Sequence, residues 1–293
     1  MRTEAWIQRH TCRLNGKTVA ISGATGGIGR ELCRHLAALG ASLLLLDRNS
    51  QKSLALIEDL KKEYPTLQAE HLRVDMADFT TVKAVTEQLR ARPLHSLILN
   101  AGAYHIPRHR CDTGYENVFQ INFVSPYYMA RTLKPYLQAK GGRVVAVGSI
   151  AHNYSKIDPN DVDFSTRSAS SKVYGNAKRY LMFSLYALYG EEKGCAVTHP
   201  GITLTNITAH YPKWIYAIIR HPMKVLFMKP KRASLSILRG VFEDCGENEW
   251  IGPRVCNVWG LPQKERLRTC KPAEAAQIGA IAERIWTELT REK

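Results

Sequence analysis

The chain has no CxxC pair and no local cluster of cysteine and histidine: its seven cysteines, at 12, 33, 111, 195, 245, 256 and 270, are widely spaced. That spacing excludes a structural zinc and a disulfide scaffold, no metal is expected, and the thiols read as reduced in a cytoplasmic protein. Long hydrophobic runs are also missing. Ala41 to Leu46 is too short to span a bilayer, and Ile207 to Met228 is broken by His210, Lys213, Arg220 and Lys224. The stretch from Met1 to Val19 lacks the apolar core of a secretion signal, carrying Arg2, Glu4, Arg9, His10 and Arg13 instead, so export is not expected. Internal repeats and low-complexity tracts are absent, which excludes a solenoid or a disordered tail.

Acidic residues are scarce: 26 Asp and Glu face 41 Lys and Arg, a formal charge of +15. From Lys193 to Phe242 there is no acid at all beside eight Lys and Arg. Such a surface suits nucleic acid, anionic lipid or an anionic substrate. No compact basic recognition helix or stacked aromatic motif accompanies it, so nucleic acid is not an expected partner. Peripheral contact of 207–232 with a membrane is the rival use of the segment.

With 293 residues, 45% of them hydrophobic, the chain can close one large core, and 1–293 is expected to form a single domain. Lys17 to Ser22, Ser42 to Leu46, His71 to Asp75, Leu97 to Asn100, Arg143 to Gly148 and Cys195 to Thr198 read as short apolar strands, with Val255 to Val258 as a last edge strand. Between them run helical patterns at 27–40, 51–63, 79–89, 115–137 and 171–189, and a final one at 273–289. Strands without polar alternation, separated by amphipathic helices, predict an α/β fold with a doubly wound parallel sheet in a three-layer α/β/α sandwich. A substrate-side insertion is expected over about 203–240.

Gly23, Thr25, Gly26, Gly27, Ile28 and Gly29 lie directly between the first strand and the first helix. Glycines allow a tight turn and a close backbone approach to a pyrophosphate, whose charge meets the free N–H groups of the helix start. No Lys-Ser/Thr follows, so this is not a nucleoside-triphosphatase phosphate loop. Asp47 ends the second strand, where a carboxylate can accept the adenosine ribose hydroxyls and repel a 2′-phosphate, favouring NAD over NADP. Arg48 pulls the other way, since it could clasp a 2′-phosphate if Asp47 turned aside.

Tyr174 and Lys178 are four apart in a helical segment and share one face. An ammonium beside a phenol favours the phenolate, making proton exchange accessible near neutral pH. Ser149 sits just past the fifth strand, at the end of the sheet where such folds hold ligands, and can donate a hydrogen bond to a carbonyl oxygen.

Together these elements resemble the short-chain dehydrogenase/reductase family over nearly the whole chain. Its TGxxxGxG signature is similar to Ser22–Gly29, with serine for threonine; its NNAG element to Leu99-Asn100-Ala101-Gly102, with the first asparagine absent; and its PG after the sixth strand to Pro200-Gly201. The resemblance implies a Rossmann fold and an oxidoreductase interconverting an alcohol and a carbonyl. It implies cofactor contacts at Asp75, Met76, Asn100, Ala101, Gly102, Pro200, Gly201, Ile202 and Thr205, besides the glycine turn. It also implies a catalytic set of Asn122, Ser149, Tyr174 and Lys178. Tyr174 would be the general acid/base, Ser149 would polarise the carbonyl, Lys178 would lower the tyrosine pKa and bind ribose, and Asn122 would anchor a relay water.

Ser149 and Tyr174 are 25 positions apart, more than the family's usual spacing. The intervening stretch, with Ala151-His152 after the serine, resembles the retinol-dehydrogenase-like branch. A bulky hydrophobic alcohol or carbonyl, steroid-, retinoid- or lipid-like, is the expected substrate. The family resemblance also implies a homodimer or homotetramer through the helices at 115–137 and 171–189. His152 and His199 are expected to be structural, and Tyr104 and His105 to wall the pocket. The rival reading is a catalytically silent dinucleotide-binding or scaffold protein of the same fold.

Overall fold

Successive strand residues alternate between two apolar layers. In β1 (Thr18–Ser22), Val19 and Ile21 enter one and Ala20 the other; in β2 (Ser42–Asp47), Leu43 and Leu45 oppose Leu44 and Leu46. Burial on both faces is why these strands read as unbroken apolar runs. The structure, a computed structural model, describes residues 3–203 and 227–291. Its sheet adds β3 (Ala69–Arg73), β4 (Leu94–Leu99), β5 (Arg143–Val147), β6 (Cys195–Thr198), β7 (Glu249–Val255) and β8 (Trp259–Arg266). The order is β3-β2-β1-β4-β5-β6-β7-β8, parallel through β7, with β8 antiparallel to it. The order reverses between β1 and β4, so the chain ends beyond those strands diverge and leave a crevice.

One layer consists of α1 (Thr3–His10), α2 (Gly27–Ala38), α3 (Ser50–Glu63) and α8 (Pro230–Gly240). The other holds α4 (Phe79–Arg90), α5 (Asn117–Phe119), a π-helical segment Gln120–Val124, α6 (Ser125–Gln138), α7 (Ser170–Tyr189) and α9 (Pro272–Thr290). This is the expected three-layer sandwich.

Four details depart from the sequence reading. Val255 closes β7, and Cys256 and Asn257 turn the chain with φ of 49° and 57°, so the expected edge strand at 255–258 is instead the turn between β7 and the edge strand β8. Gly252-Pro253 inside β7 hid that strand; Pro253 lies opposite Pro262 on the last strand pair, where a missing donor is tolerated. The end of the expected insertion is core: α8 packs on α2, and Ala233, Leu235, Ile237 and Leu238 are fully buried. The short helix α1 buries Trp6 at 2% exposure. Finally, α9 lies on α6 and α7, the faces expected to meet a second subunit: Glu283 accepts from Tyr127 Oη (2.5 Å) and Arg131 Nε (2.8 Å), and Trp286 Nε1 donates to Thr132 (3.0 Å).

Thr205 and most of the proposed lid and membrane segment, 204–226, lie outside the described residues. Thr203 and Met228, on either side, form an isolated parallel bridge. Among the described residues no helix is long and apolar enough to cross a membrane.

Candidate active site

β1 delivers the chain at Ser22 into Gly23, whose φ of +68° few side chains tolerate. A Cβ on Gly23 would lie 2.9 Å from Ala101 Cα, and one on Gly29 would fall on the Gly23 carbonyl oxygen. The turn therefore closes only with hydrogen at both positions. Ser22 Oγ accepts from the backbone N–H groups of Asn100 and Ala101 (3.0 Å each), and Asn100 Nδ2 donates to the Ser22 and Gly23 carbonyls (3.0 Å each). Those bonds lock the ends of β1 and β4 side by side. At the start of α2, Gly26 is the N-cap without a side-chain cap, no acid occupies the first turn, and Gly26 and Gly27 are exposed. Uncapped N–H groups at an exposed helix start suit an anion, so the turn fits a dinucleotide pyrophosphate.

Asp47 is not poised for a ribose. Its carboxylate is 6% exposed and faces back into the turn, accepting from Thr25 N (3.4 Å) and Oγ1 (3.1 Å) and from Ser53 Oγ (3.2 Å). Burial pushes its pKa up, and the bonds from Thr25 and Ser53 oppose that shift. Arg48, by contrast, is exposed. The expected preference for NAD assumed a free carboxylate, and this orientation removes that support.

Asp75 is half-buried after β3, accepting from Ala77 N (2.9 Å), while the Met76 side chain is buried and its carbonyl accepts from Ser125 Oγ (2.7 Å). Pro200 is buried, and half-buried Gly201 and Ile202 follow β6; Ile202 N donates to Val258 O (3.4 Å).

The catalytic candidates gather beyond the ends of β4 and β5. A Cβ on Gly102 would stand 2.8 Å from Asn122 Oδ1 and 3.6 Å from Lys178 Nζ, so both groups point at the same place. Asn122 lies in the π-helical segment, a register change that re-aims side chains. Its Nδ2 donates to Ala103 O and Val118 O (2.8 Å each), and its buried Oδ1 has no partner. Lys178 is 2% exposed; its Nζ donates to Val147 O (2.8 Å), and burial pushes its pKa down to about 8. Ser149 follows β5 and caps the 3₁₀ turn Ile150–Tyr154 by accepting from Ala151 N (3.2 Å).

Tyr174 is half-buried one turn before Lys178, whose Nζ is 5.8 Å from the centre of its ring. Burial pushes the phenol up to about 12; the neighbouring Ser149 hydroxyl pulls it down and Tyr104 adds a smaller upward push. The lowering expected from Lys178 is therefore not found: desolvation dominates, and the downward pull comes from Ser149.

Sequence reasoning named Tyr104 beside this site but missed the apolar cluster behind Tyr174. Val118, Phe164 and Val173 form a small apolar cluster with Ile106 and Tyr174, and Tyr104 sets its ring edge-on to Tyr174 at 5.4 Å. The long stretch before Tyr174 is fastened down: Arg108 pairs with Glu116 (2.9 Å) and donates to Phe164 O (3.0 Å), Glu116 N donates to Asp163 (2.8 Å), and Asn176 Nδ2 donates to Val162 O (2.8 Å). No local periodicity announces such contacts; a carboxylate three residues before Phe119, capping its N–H, was the one available hint. His105 lies 3.1 Å from Ser170 Oγ. His199 fills a polar niche as expected, bonding Asn257 O (2.9 Å) and stacking on Trp250, with burial holding its pKa down to about 4. His152 is fully buried.

The glycine turn makes a direct test. Gly29→Ala should weaken dinucleotide binding at least about tenfold, or about 1.4 kcal/mol, by calorimetric titration. Unchanged binding would mean that the cofactor lies elsewhere.

The profile of the short chain dehydrogenase family matches residues 17–159. Polyprenol dehydrogenase of Mus musculus is 29% identical over 93% of this chain and 82% of its own length. Retinol dehydrogenase 12 of Mus musculus is 30% identical over 67% of this chain, which spans 64% of that protein. A solved structure from Mycobacterium paratuberculosis, 21% identical and covered to 95% in both chains, superposes with a TM-score of 0.72 and shares the fold. With that fold, the glycine turn and these matches in hand, the chain belongs to the short-chain dehydrogenase/reductase family, NAD(P)-dependent oxidoreductases acting on CH–OH and C=O groups.

Proposed function

We propose that the chain interconverts a bulky apolar alcohol and its aldehyde or ketone, with Tyr174 exchanging the proton at the reacting oxygen. The observation that carries this reading is the setting of the Tyr174 phenol. It has the Ser149 hydroxyl beside it, an apolar wall of Val118, Phe164, Val173 and Ile106 behind it, and Lys178 one turn away. Hydride is what the dinucleotide supplies or takes up when bound. Ser149 donates to the substrate oxygen and Tyr174 passes it a proton in reduction, or takes one in oxidation. Lys178, with its pKa near 8, can hold a ribose hydroxyl and return a proton to the phenol. The unpartnered Oδ1 of Asn122 is an acceptor for a water feeding that path.

The apolar wall and the fastened, elongated stretch between Ser149 and Tyr174 favour a bulky substrate. Two relatives are named for alcohols, polyprenol and retinol, and the stretch carries the retinol-dehydrogenase-like Ala151-His152. For the dinucleotide, the committed carboxylate of Asp47 and the exposed Arg48 favour NADP over NAD. Assembly into a dimer or tetramer would need a surface other than the part of α6 and α7 covered by α9.

A panel of hydrophobic alcohols and ketones with both dinucleotides tests the reading. Tyr174→Phe should keep dinucleotide affinity and lower turnover by at least about a hundredfold; full turnover would refute it. Because the phenol stays protonated up to about 12, carbonyl reduction should not rise between pH 7 and 10, whereas alcohol oxidation, which needs the deprotonated form, should climb steadily. An oxidation rate falling with pH would contradict that assignment. Arg48→Ala should raise the KM for NADP about tenfold or more, the worth of one charge-assisted bond, and leave that for NAD unchanged; equal effects on both would overturn the NADP preference.

A further inference from the structure

We propose that His152 is a positioning residue that fixes Ser149 in its working orientation, and that Thr269, from the C-terminal part of the chain, and Arg179, from α7, hold it there. The inference rests on the proposed role of Ser149. His152 is fully buried, and both ring nitrogens are engaged: Nδ1 lies 2.6 Å from Ser149 O and Nε2 2.7 Å from Thr269 Oγ1. A carbonyl can only accept, so the proton sits on Nδ1, and Nε2 accepts from the Thr269 hydroxyl. Burial lowers the pKa of the ring, consistent with this neutral form. Trp250 meets it edge-on at 5.7 Å and Phe183 lies 6.0 Å away, which leaves the ring little room to turn.

The backbone of the same residue is held as well. Its carbonyl accepts from Arg179 Nη1 (3.0 Å), and Arg179 is bidentate to Glu274, at 2.6 and 2.5 Å. Glu274 is in the first turn of α9, where a carboxylate is favoured by the helix dipole. Through Thr269, the turn that follows Ser149 is tied to a residue more than a hundred positions away in sequence. Its local braces are the bonds from Ala151 N to Ser149 Oγ and from His152 N to Ser149 O, both 3.2 Å long. The first of these occupies a lone pair of the hydroxyl and leaves its proton to donate. Without the shorter bond from the imidazole, the Ser149 backbone could rotate and carry the donor away from the reacting oxygen. Arg179 directly follows Lys178, so one helix turn supports both ends of the arrangement.

Thr269 is exposed, so Thr269→Val should fold normally, and circular dichroism and thermal unfolding will check this. On the best substrate of the panel, we expect kcat to fall about tenfold with dinucleotide affinity unchanged. Thr269→Ser, which restores the hydroxyl, should recover it. In a Ser149→Ala background, Thr269→Val should add nothing, because the residue acts only through the serine. In the wild type, imidazole ¹⁵N shifts should show His152 protonated on Nδ1, and Thr269→Val should disturb that preference. An Nε2-protonated ring, a full additional loss in the double variant, or no recovery with serine overturns the inference alone. Full turnover by Ser149→Ala overturns the role of the serine and this inference with it.

Discussion

A buried amine must have a partner, and the one bond from Lys178 Nζ to Val147 O decides where the rest of the site can be. To make it, α7 has to lie almost against the end of β5. The chain allows that approach by omitting side chains where the two meet: a Cβ on Gly175 would overlap Ala151 O, and one on Gly148 would come within 2.7 Å of Met182 Sδ. Tyr174, immediately before Gly175, and Ser149, immediately after Gly148, are the residues brought together. Backbone proximity does the positioning, and the side chains inherit it.

Desolvation then acts on both titrating groups in the same sense. It raises the phenol to about 12 and lowers the amine to about 8, favouring the uncharged form of each. At neutral pH the phenol is then uncharged, while the amine, still mostly protonated, holds its proton loosely enough to pass it on. The surrounding anchors follow the same economy: Asn122 is held through its amide nitrogen and Ser149 through one lone pair of its hydroxyl, and in each the remaining hydrogen-bonding capacity is left for chemistry.

The parts legible in the sequence are those whose meaning is fixed by spacing along the chain. The glycine turn lies between a strand and a helix, and Tyr174 and Lys178 sit one helical turn apart, so their placement follows once the local element is right. The layers follow for the same reason, because buried-both-sides strands and amphipathic helices have distinct periods; the order of the strands does not, since a period says nothing of which strands pair. Asp47 shows the limit. Its position at the strand end was readable, but its rotamer is chosen by Thr25 and Ser53, which reach it through the fold. The β7–β8 hairpin was obscured by Gly252-Pro253 and the many charges of its edge strand. α8 was obscured by the basic residues that precede and punctuate its apolar face, and α9 showed its helical period but not which helices it would cover.

The bridge between Thr203 and Met228 holds side by side two residues that are far apart in sequence. Because the two residues lie side by side, the number of residues between them can change without shifting the register of any strand, since the closure cost grows only slowly with length. Descendants of this sequence could therefore vary in length there while the strand ends beside Ser149 and Val147 stayed in place.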